Sequence, residues 1–171
     1  MINIINTNIP KETNKRIINE LYTLNSWFFG CDENMADVIN KKDSGFSNIT
    51  FAETGVGTNN DILNTYANVI FDIIQKNSFM KFKKISRVYW NWYHPNSVMQ
   101  YHNDFIDNNK FSVVYNLHDN DGGTKFKINN KVKFYKANES EALLFPSKLY
   151  HKGVAPKKTP NRFSLNIILE I

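Results

Sequence analysis

Cysteine is almost missing from this chain. Cys31 stands alone among 171 residues, so no intrachain disulfide can form and no thiolate cluster can hold zinc. Glycine and proline are sparse at 7 and 5, and no repeat, low-complexity tract or linker interrupts the sequence, which excludes solenoids, fibrous chains and disordered arrays. No stretch approaches the roughly 18 consecutive apolar residues of a membrane span. The amino end, MINIINTNIPKETNKR, has neither an apolar h-region nor a small-residue cleavage site. The expectation is a cytoplasmic protein with no membrane partner. Charge of one sign is also scarce. The 21 Lys plus Arg against 16 Asp plus Glu give +5, an excess too small to demand a polyanion, and a nucleic-acid partner is not expected.

What is present is material for a core. Hydrophobic residues make up 42% and aromatics 14%, far from a disordered composition, and 171 residues suffice for one domain spanning the chain. From Pro10 to about Asn25, Ile17, Ile18, Leu21 and Leu24 recur at helical spacing, with Pro10 suited to a first turn. A second helix is expected from Asn60, a capping residue, through Gln75. Its apolar face carries Ile62, Leu63, Tyr66, Val69, Ile70, Ile73 and Ile74. Between them, residues 26–58 hold Gly30, Gly45, Gly55, Gly57 and several Asn and Asp. They read as irregular structure anchored by Trp27, Phe28 and Phe29.

From Lys84 the period changes to two. Strands are expected at about 85–93, 99–104, 111–118, 123–129, 131–137, 142–146, 150–155 and 162–170, with turns at Asp121-Gly122-Gly123 and Asn129-Asn130. Eight short strands predict a mainly β (α+β) fold of jelly-roll or sandwich type, with the helices of residues 1–84 buttressing one sheet of 85–171.

The chemistry begins at MQYHNDF. In a strand, His102 and Asp104 point to one face, and His151 opens a later strand 47 residues beyond Asp104. Two imidazoles and one carboxylate on one side of a metal leave the other side open, the donor set of non-haem Fe(II) oxygenases. A surface His–Asp pair with an ordinary core histidine would give the same letters. The next segment separates the two readings: Arg162 and Ser164 share a strand face, where a guanidinium and a hydroxyl can hold a carboxylate.

On these residues the chain resembles the Fe(II)- and 2-oxoglutarate-dependent dioxygenases, in particular the prolyl-hydroxylase-like branch and its small stand-alone bacterial and viral members. The resemblance covers 85–171 and rests on Tyr93 in WYHPNSVMQYHND, His102-x-Asp104, FSVVYNLHDNDGGTKF, EALLFPSKLYHKGV around His151, and Arg162-x-Ser164. It implies a double-stranded β-helix of jelly-roll or cupin-like form, and Fe(II) on His102, Asp104 and His151. It also implies 2-oxoglutarate held by Arg162, Ser164 and Tyr93, with O2 as co-substrate and ascorbate among the cofactors. The reaction implied is hydroxylation of a C–H bond, with release of succinate and CO2. The partner implied is a peptide or protein residue such as proline. A free amino acid, small metabolite or nucleobase is the alternative substrate. A non-catalytic cupin-like module is the alternative class.

Two positions depart from the family pattern. Asn116 stands where many relatives place a Tyr facing the co-substrate. Ile168, six residues after Arg162, is neither the Trp common in protein prolyl hydroxylases nor the second Arg of nucleic-acid demethylases. Tyr89 and Asn91 share the face of Tyr93 and are expected to line the pocket, whereas Val88, Trp90 and Trp92 face the helices. His94 and His118 fall at strand ends and are read as turn residues. Lys125, Lys127, Lys131, Lys133 and Lys136 decorate a hairpin, and Lys148, Lys152, Lys157 and Lys158 flank His151, a basic rim that would steer an acidic polypeptide.

Overall fold

Period-two alternation builds most of two sheets, and the period-3.6 segments cover one of them. The computed structural model describes residues 1–29, 44–52, 57 and 60–171; Gly30, Cys31 and Gly55 lie outside the described residues. In chain order the elements are β1 (Asn3–Asn6), α1 (Lys11–Thr23), β2 (Phe28–Phe29), β3 (Phe46–Ala52), α2 (Asp61–Asn77) and β4 (Lys84–Tyr93). They continue with β5 (Lys110–Asn116), β6 (Gly123–Ile128), β7 (Lys131–Lys136), β8 (Glu141–Pro146), β9 (His151–Val154) and β10 (Arg162–Glu170). A seven-stranded sheet runs β1-β8-β5-β10-β4-β3-β2 and a three-stranded sheet runs β7-β6-β9, with every pairing antiparallel.

Both helices sit where their patterns place them. Asn60 caps α2 by accepting from the Leu63 N–H at 2.9 Å. Leu63, Ala67, Ile70 and Ile74 of α2, with Ile17 and Leu21 of α1, bury against Val88 and Trp90 of β4, Val113 and Tyr115 of β5, and Phe163, Leu165 and Ile167 of β10. Trp92 packs at the margin of that core. Each fully buried aliphatic chain contributes about 1.5–3 kcal/mol. The apolar face of α2 is narrower than expected, because Ile62 and Val69 are half exposed. A second, smaller core of Val114, Phe126, Leu143 and Phe145 fills the space between the two sheets, and the functional site lies in the same layer.

Three expectations are corrected. Residues 26–58 are not wholly irregular: β3 pairs with β4 from Phe46↔Trp92 to Ala52↔Arg87. Its buried positions include Ser47, Asn48 and Thr50, so polar letters mask a strand; the Asn48 amide donates to Ser26, whereas the Thr50 hydroxyl has no hydrogen-bond partner among the described residues. Trp27 anchors onto the core, but Phe28 and Phe29 form a two-residue edge strand and are substantially exposed. Residues 99–104 form no strand; their one ladder contact is an isolated bridge, His102↔His151. Next to that bridge the Asn103 side-chain amide donates to the Lys148 carbonyl and the Asp104 N–H to the Ser147 carbonyl, so the segment follows the β8–β9 turn and not a strand. Finally β1, with no alternating pattern to announce it, pairs with β8 from Asn3↔Leu144 to Asn6↔Glu141. Among the described residues no helix is long and apolar enough to cross a membrane.

Candidate metal and co-substrate site

His102, Asp104 and His151 come together, their ligand atoms all within 4.8 Å of one another. The His102–His151 bridge is reciprocal, His102 N–H to the His151 carbonyl at 2.8 Å and His151 N–H to the His102 carbonyl at 2.9 Å, so the two rings stand side by side with centroids 4.6 Å apart. The Nδ1 of His102 lies 3.1 Å from the Gln100 carbonyl, and that of His151 lies 2.8 Å from the Leu149 carbonyl. A carbonyl only accepts, so each Nδ1 carries the proton and each Nε2 turns a lone pair inward. Those lone pairs face the Asp104 carboxylate at 3.6 Å on both sides, His102 to Oδ1 and His151 to Oδ2. In the neutral rings these three donors converge on one point, where either a proton on an imidazole or a metal cation can pair with the carboxylate.

The carboxylate is held at both oxygens. Arg87 Nη2 reaches Oδ1 at 3.4 Å, and Ser112 Oγ donates to Oδ2 at 2.5 Å while sharing a 2.9 Å hydrogen bond with Ser147 Oγ. Burial alone would raise the Asp104 pKa, but His151, His102 and Arg87 outweigh it and hold the group well below the usual carboxylate range. Burial lowers the pKa of His151, Asp104 opposing, so its neutral, ligating form is favoured. Its ring packs against Phe126 and Phe145, which keep that side of the site dry.

Arg162 is the second feature. Its side chain is 1% exposed, yet Nε and Nη1 have no hydrogen-bond partner, and Nη2 makes only a 3.4 Å contact with Asn116 Oδ1. Among the described residues no carboxylate pairs with it. Burial depresses its pKa and the Tyr93 hydroxyl opposes that shift; the guanidinium carbon lies 5.2 Å from the Tyr93 ring centroid. An unpaired buried charge costs several kcal/mol, so this guanidinium is built for an anion. Ladder register assembles its surroundings. Arg162 lies opposite Tyr93, and Ser164 opposite both Asn91 and Asn116, all of them buried. Gly153, two residues after His151 and on the same face of β9, completes the cleft. A Cβ there would sit 3.2 Å from the Tyr93 hydroxyl and 3.5 Å from Arg162 Nη1. Glycine at this position, roughly 7 Å along β9 from His151, therefore leaves Tyr93 and Arg162 uncrowded.

Tyr89 is also on this face, at the end nearer Asp104, with the Arg87 guanidinium stacked on it at 4.2 Å. Arg87 and Ser112 are absent from the sequence reading, although the alternation that selects Tyr89, Asn91 and Tyr93 also selects Arg87, and FSVVYN places Ser112 beside Asn116. Ile168, opposite Arg87 and Ser112, is fully buried. His94 and His118 stay outside the site. His94 packs on Trp92, and His118 Nε2 accepts from the Phe163 N–H at 3.3 Å. Tyr115 faces the helices and donates to Asn14 Oδ1 at 2.6 Å.

No family model and no curated protein matches this sequence. Solved structures do match the fold. A 2OG-Fe(II) oxygenase family oxidoreductase from Burkholderia pseudomallei aligns over 99% of this chain and 84% of its own, with 14% identity and TM-score 0.73. A prolyl hydroxylase from Trichoplax adhaerens, solved in complex with a hypoxia inducible factor oxygen degradation domain peptide fragment, aligns over 99% and 83% with 14% identity and TM-score 0.71. HygX from Streptomyces hygroscopicus, with nickel and 2-oxoglutarate bound, aligns over 99% and 82% with 10% identity and TM-score 0.68. Two antiparallel sheets with the His-Asp-His cluster in the layer between them thus form the jelly-roll fold of the 2-oxoglutarate and Fe(II) oxygenases, prolyl hydroxylases among them.

Proposed function

We propose that the protein is an Fe(II)- and 2-oxoglutarate-dependent dioxygenase that hydroxylates a C–H bond of a peptide or protein residue, with proline the first candidate. The observation that carries the reading is the pairing of two features along β9 and β10: a His-Asp-His cluster whose ligand atoms converge, and a buried guanidinium with no carboxylate of the described residues beside it. A metal and a dicarboxylate would satisfy both.

The donor set suits Fe(II). His102 and His151 would bind through Nε2, their Nδ1–H groups anchored on backbone carbonyls, and Asp104 through a carboxylate that Arg87 and Ser112 orient beforehand. Bound iron with 2-oxoglutarate supplies the O2-dependent oxidation of a C–H bond, with succinate and CO2 as co-products. The chain's own part is positional. Arg162 would grip the distal carboxylate, with Ser164, Tyr93 and Asn116 around it, and Gly153 leaves room for the carbon chain. Phe126 and Phe145 exclude water behind His151. Tyr89 and Asn91 would face the substrate side.

The peptide reading is supported by the similarity to the Trichoplax prolyl hydroxylase; the similarity to HygX, also solved with hygromycin B bound, keeps a small metabolite as the alternative. Purified protein with Fe(II), 2-oxoglutarate and O2 is expected to form succinate, and His151→Ala to form none. Succinate formation stimulated by proline-containing peptides, with a mass gain of one oxygen, would identify the substrate. Stimulation by small metabolites alone would move the assignment to the alternative.

A further inference from the structure

The lysines of the basic rim do not all share one side of the small sheet. Ladder register puts Lys125 and Lys127 of β6, Lys136 of β7 and Lys152 of β9 on the face opposite Phe126 and His151, away from the cleft. Lys131 and Lys133 fall on the other face, at the β7 edge, and Lys148 is tied to Asn108 Oδ1 at 2.7 Å. The outer face also carries exposed apolar groups: Val132 and Phe134 beside Lys127 and Lys125, and Tyr150, which stacks on Tyr101 with centroids 5.4 Å apart. Tyr101 and Tyr150 each immediately precede a histidine of the cluster.

One feature of this face is unfavourable in the free protein. Lys125 and Lys152 are direct cross-strand partners, a like-charge pair that a sheet normally avoids. Lys127 and Lys152 lie over one ring, their ammonium groups 4.3 and 5.1 Å from the Tyr101 centroid, contacts that are attractive in themselves and gather positive charge at one point. No Asp or Glu occurs in β6, β7 or β9 to relieve them.

From this we infer that the outer face of β7-β6-β9 is a docking surface for an extended acidic polypeptide in which carboxylates alternate with apolar side chains. Strand spacing argues for that pattern, since alternate residues of an extended peptide recur at the same roughly 7 Å interval as Lys125 and Lys127. A single-stranded nucleic acid fits less well. Its bases need a free aromatic face, whereas Tyr101 is flanked by Tyr150 and two ammoniums, and none of these cations is the forked Arg that best reads phosphate. The inference is compatible with a peptide-hydroxylating enzyme but requires neither iron nor turnover.

Fluorescence anisotropy of a labelled peptide of alternating glutamate and valine tests it, using both wild-type protein and His102→Ala to separate docking from metal chemistry. Both proteins should bind, with affinity falling by about tenfold between about 50 and 300 mM salt. The double variant Lys125→Gln/Lys152→Gln should bind at least tenfold more weakly while melting no lower than wild type, because a repulsive pair is removed. Lys157→Gln/Lys158→Gln, in the β9–β10 loop, should bind as wild type does. Equal affinity in the 125/152 variant, no binding at 50 mM salt, or tighter binding of an oligothymidylate 20-mer than of the peptide would each overturn the inference.

Discussion

Arg162 shows how a single residue can argue for a ligand. A guanidinium 1% exposed with two unpartnered nitrogens destabilises the fold, and on the proposed function the anion that offsets it would be the co-substrate. Arg162→Met should therefore stabilise the ligand-free protein by about 1–3 kcal/mol in urea unfolding while weakening 2-oxoglutarate by roughly 2–5 kcal/mol in calorimetry. A loss of stability together with unchanged affinity would remove the clamp from the account. The His-Asp-His cluster carries a second residue-scale expectation. His151 and Asp104 both have pKa values lowered by folding, so the unfolded chain binds more protons and stability falls on acidification. For His151 the loss sets in as pH drops through the ordinary histidine value of 6.5, and for Asp104 below its ordinary 3.8. Metal-free protein unfolded in urea at pH 7.5 and 5.5 should be weaker at 5.5, and His151→Gln should show a smaller difference. These roles were legible in the sequence only where a motif named them. His102-x-Asp104 and Arg162-x-Ser164 are short patterns with chemical meaning, whereas Arg87 and Ser112 act on Asp104 from other strands, and no local spacing ties them to it.

At the scale of elements, the central strand β10 decides the architecture. It pairs with β4 on one side and β5 on the other, and all of its residues from Arg162 to Leu169 are buried, alternating between the helix-side core and the cleft. Leu165→Ala, on the core side, should cost about 2–5 kcal/mol without changing the metal site. Gly153→Val, on the short strand β9, should instead leave folding and metal binding near wild type and weaken 2-oxoglutarate at least tenfold, because its side chain meets Tyr93 and Arg162. Equal loss of metal and co-substrate would show that β9 had moved. Strands with clean alternation, β4 through β10, were readable because one face is apolar or the turns are marked. The strand β3 was not, since its buried Ser47, Asn48 and Thr50 imitate a loop. The stretch 99–104 alternates yet forms a single bridge, because its groups are taken by the β8–β9 turn; the convergence of His102 and Asp104 survives, as residues two apart still face one way.

Across the whole molecule the helices and the chemistry occupy opposite faces of the large sheet. One core joins that sheet to α1 and α2, and the other lies between the two sheets beside the His-Asp-His cluster. The sequence displays this division as the shift of period at Lys84, and the alternation of Trp90 with Tyr89 and Asn91 tells which face is which. The central claim is that one cleft holds a metal through His102, Asp104 and His151 and a dicarboxylate through Arg162. Anaerobic addition of 2-oxoglutarate to the Fe(II)-loaded protein, followed by the visible metal-to-ligand charge-transfer absorption, tests it most directly. The account predicts a saturable band in wild type, a band at much higher 2-oxoglutarate in Arg162→Met, and none in His151→Ala. A wild-type protein that binds Fe(II) yet gives no band at saturating 2-oxoglutarate, or an Arg162→Met titration superimposable on wild type, would contradict it.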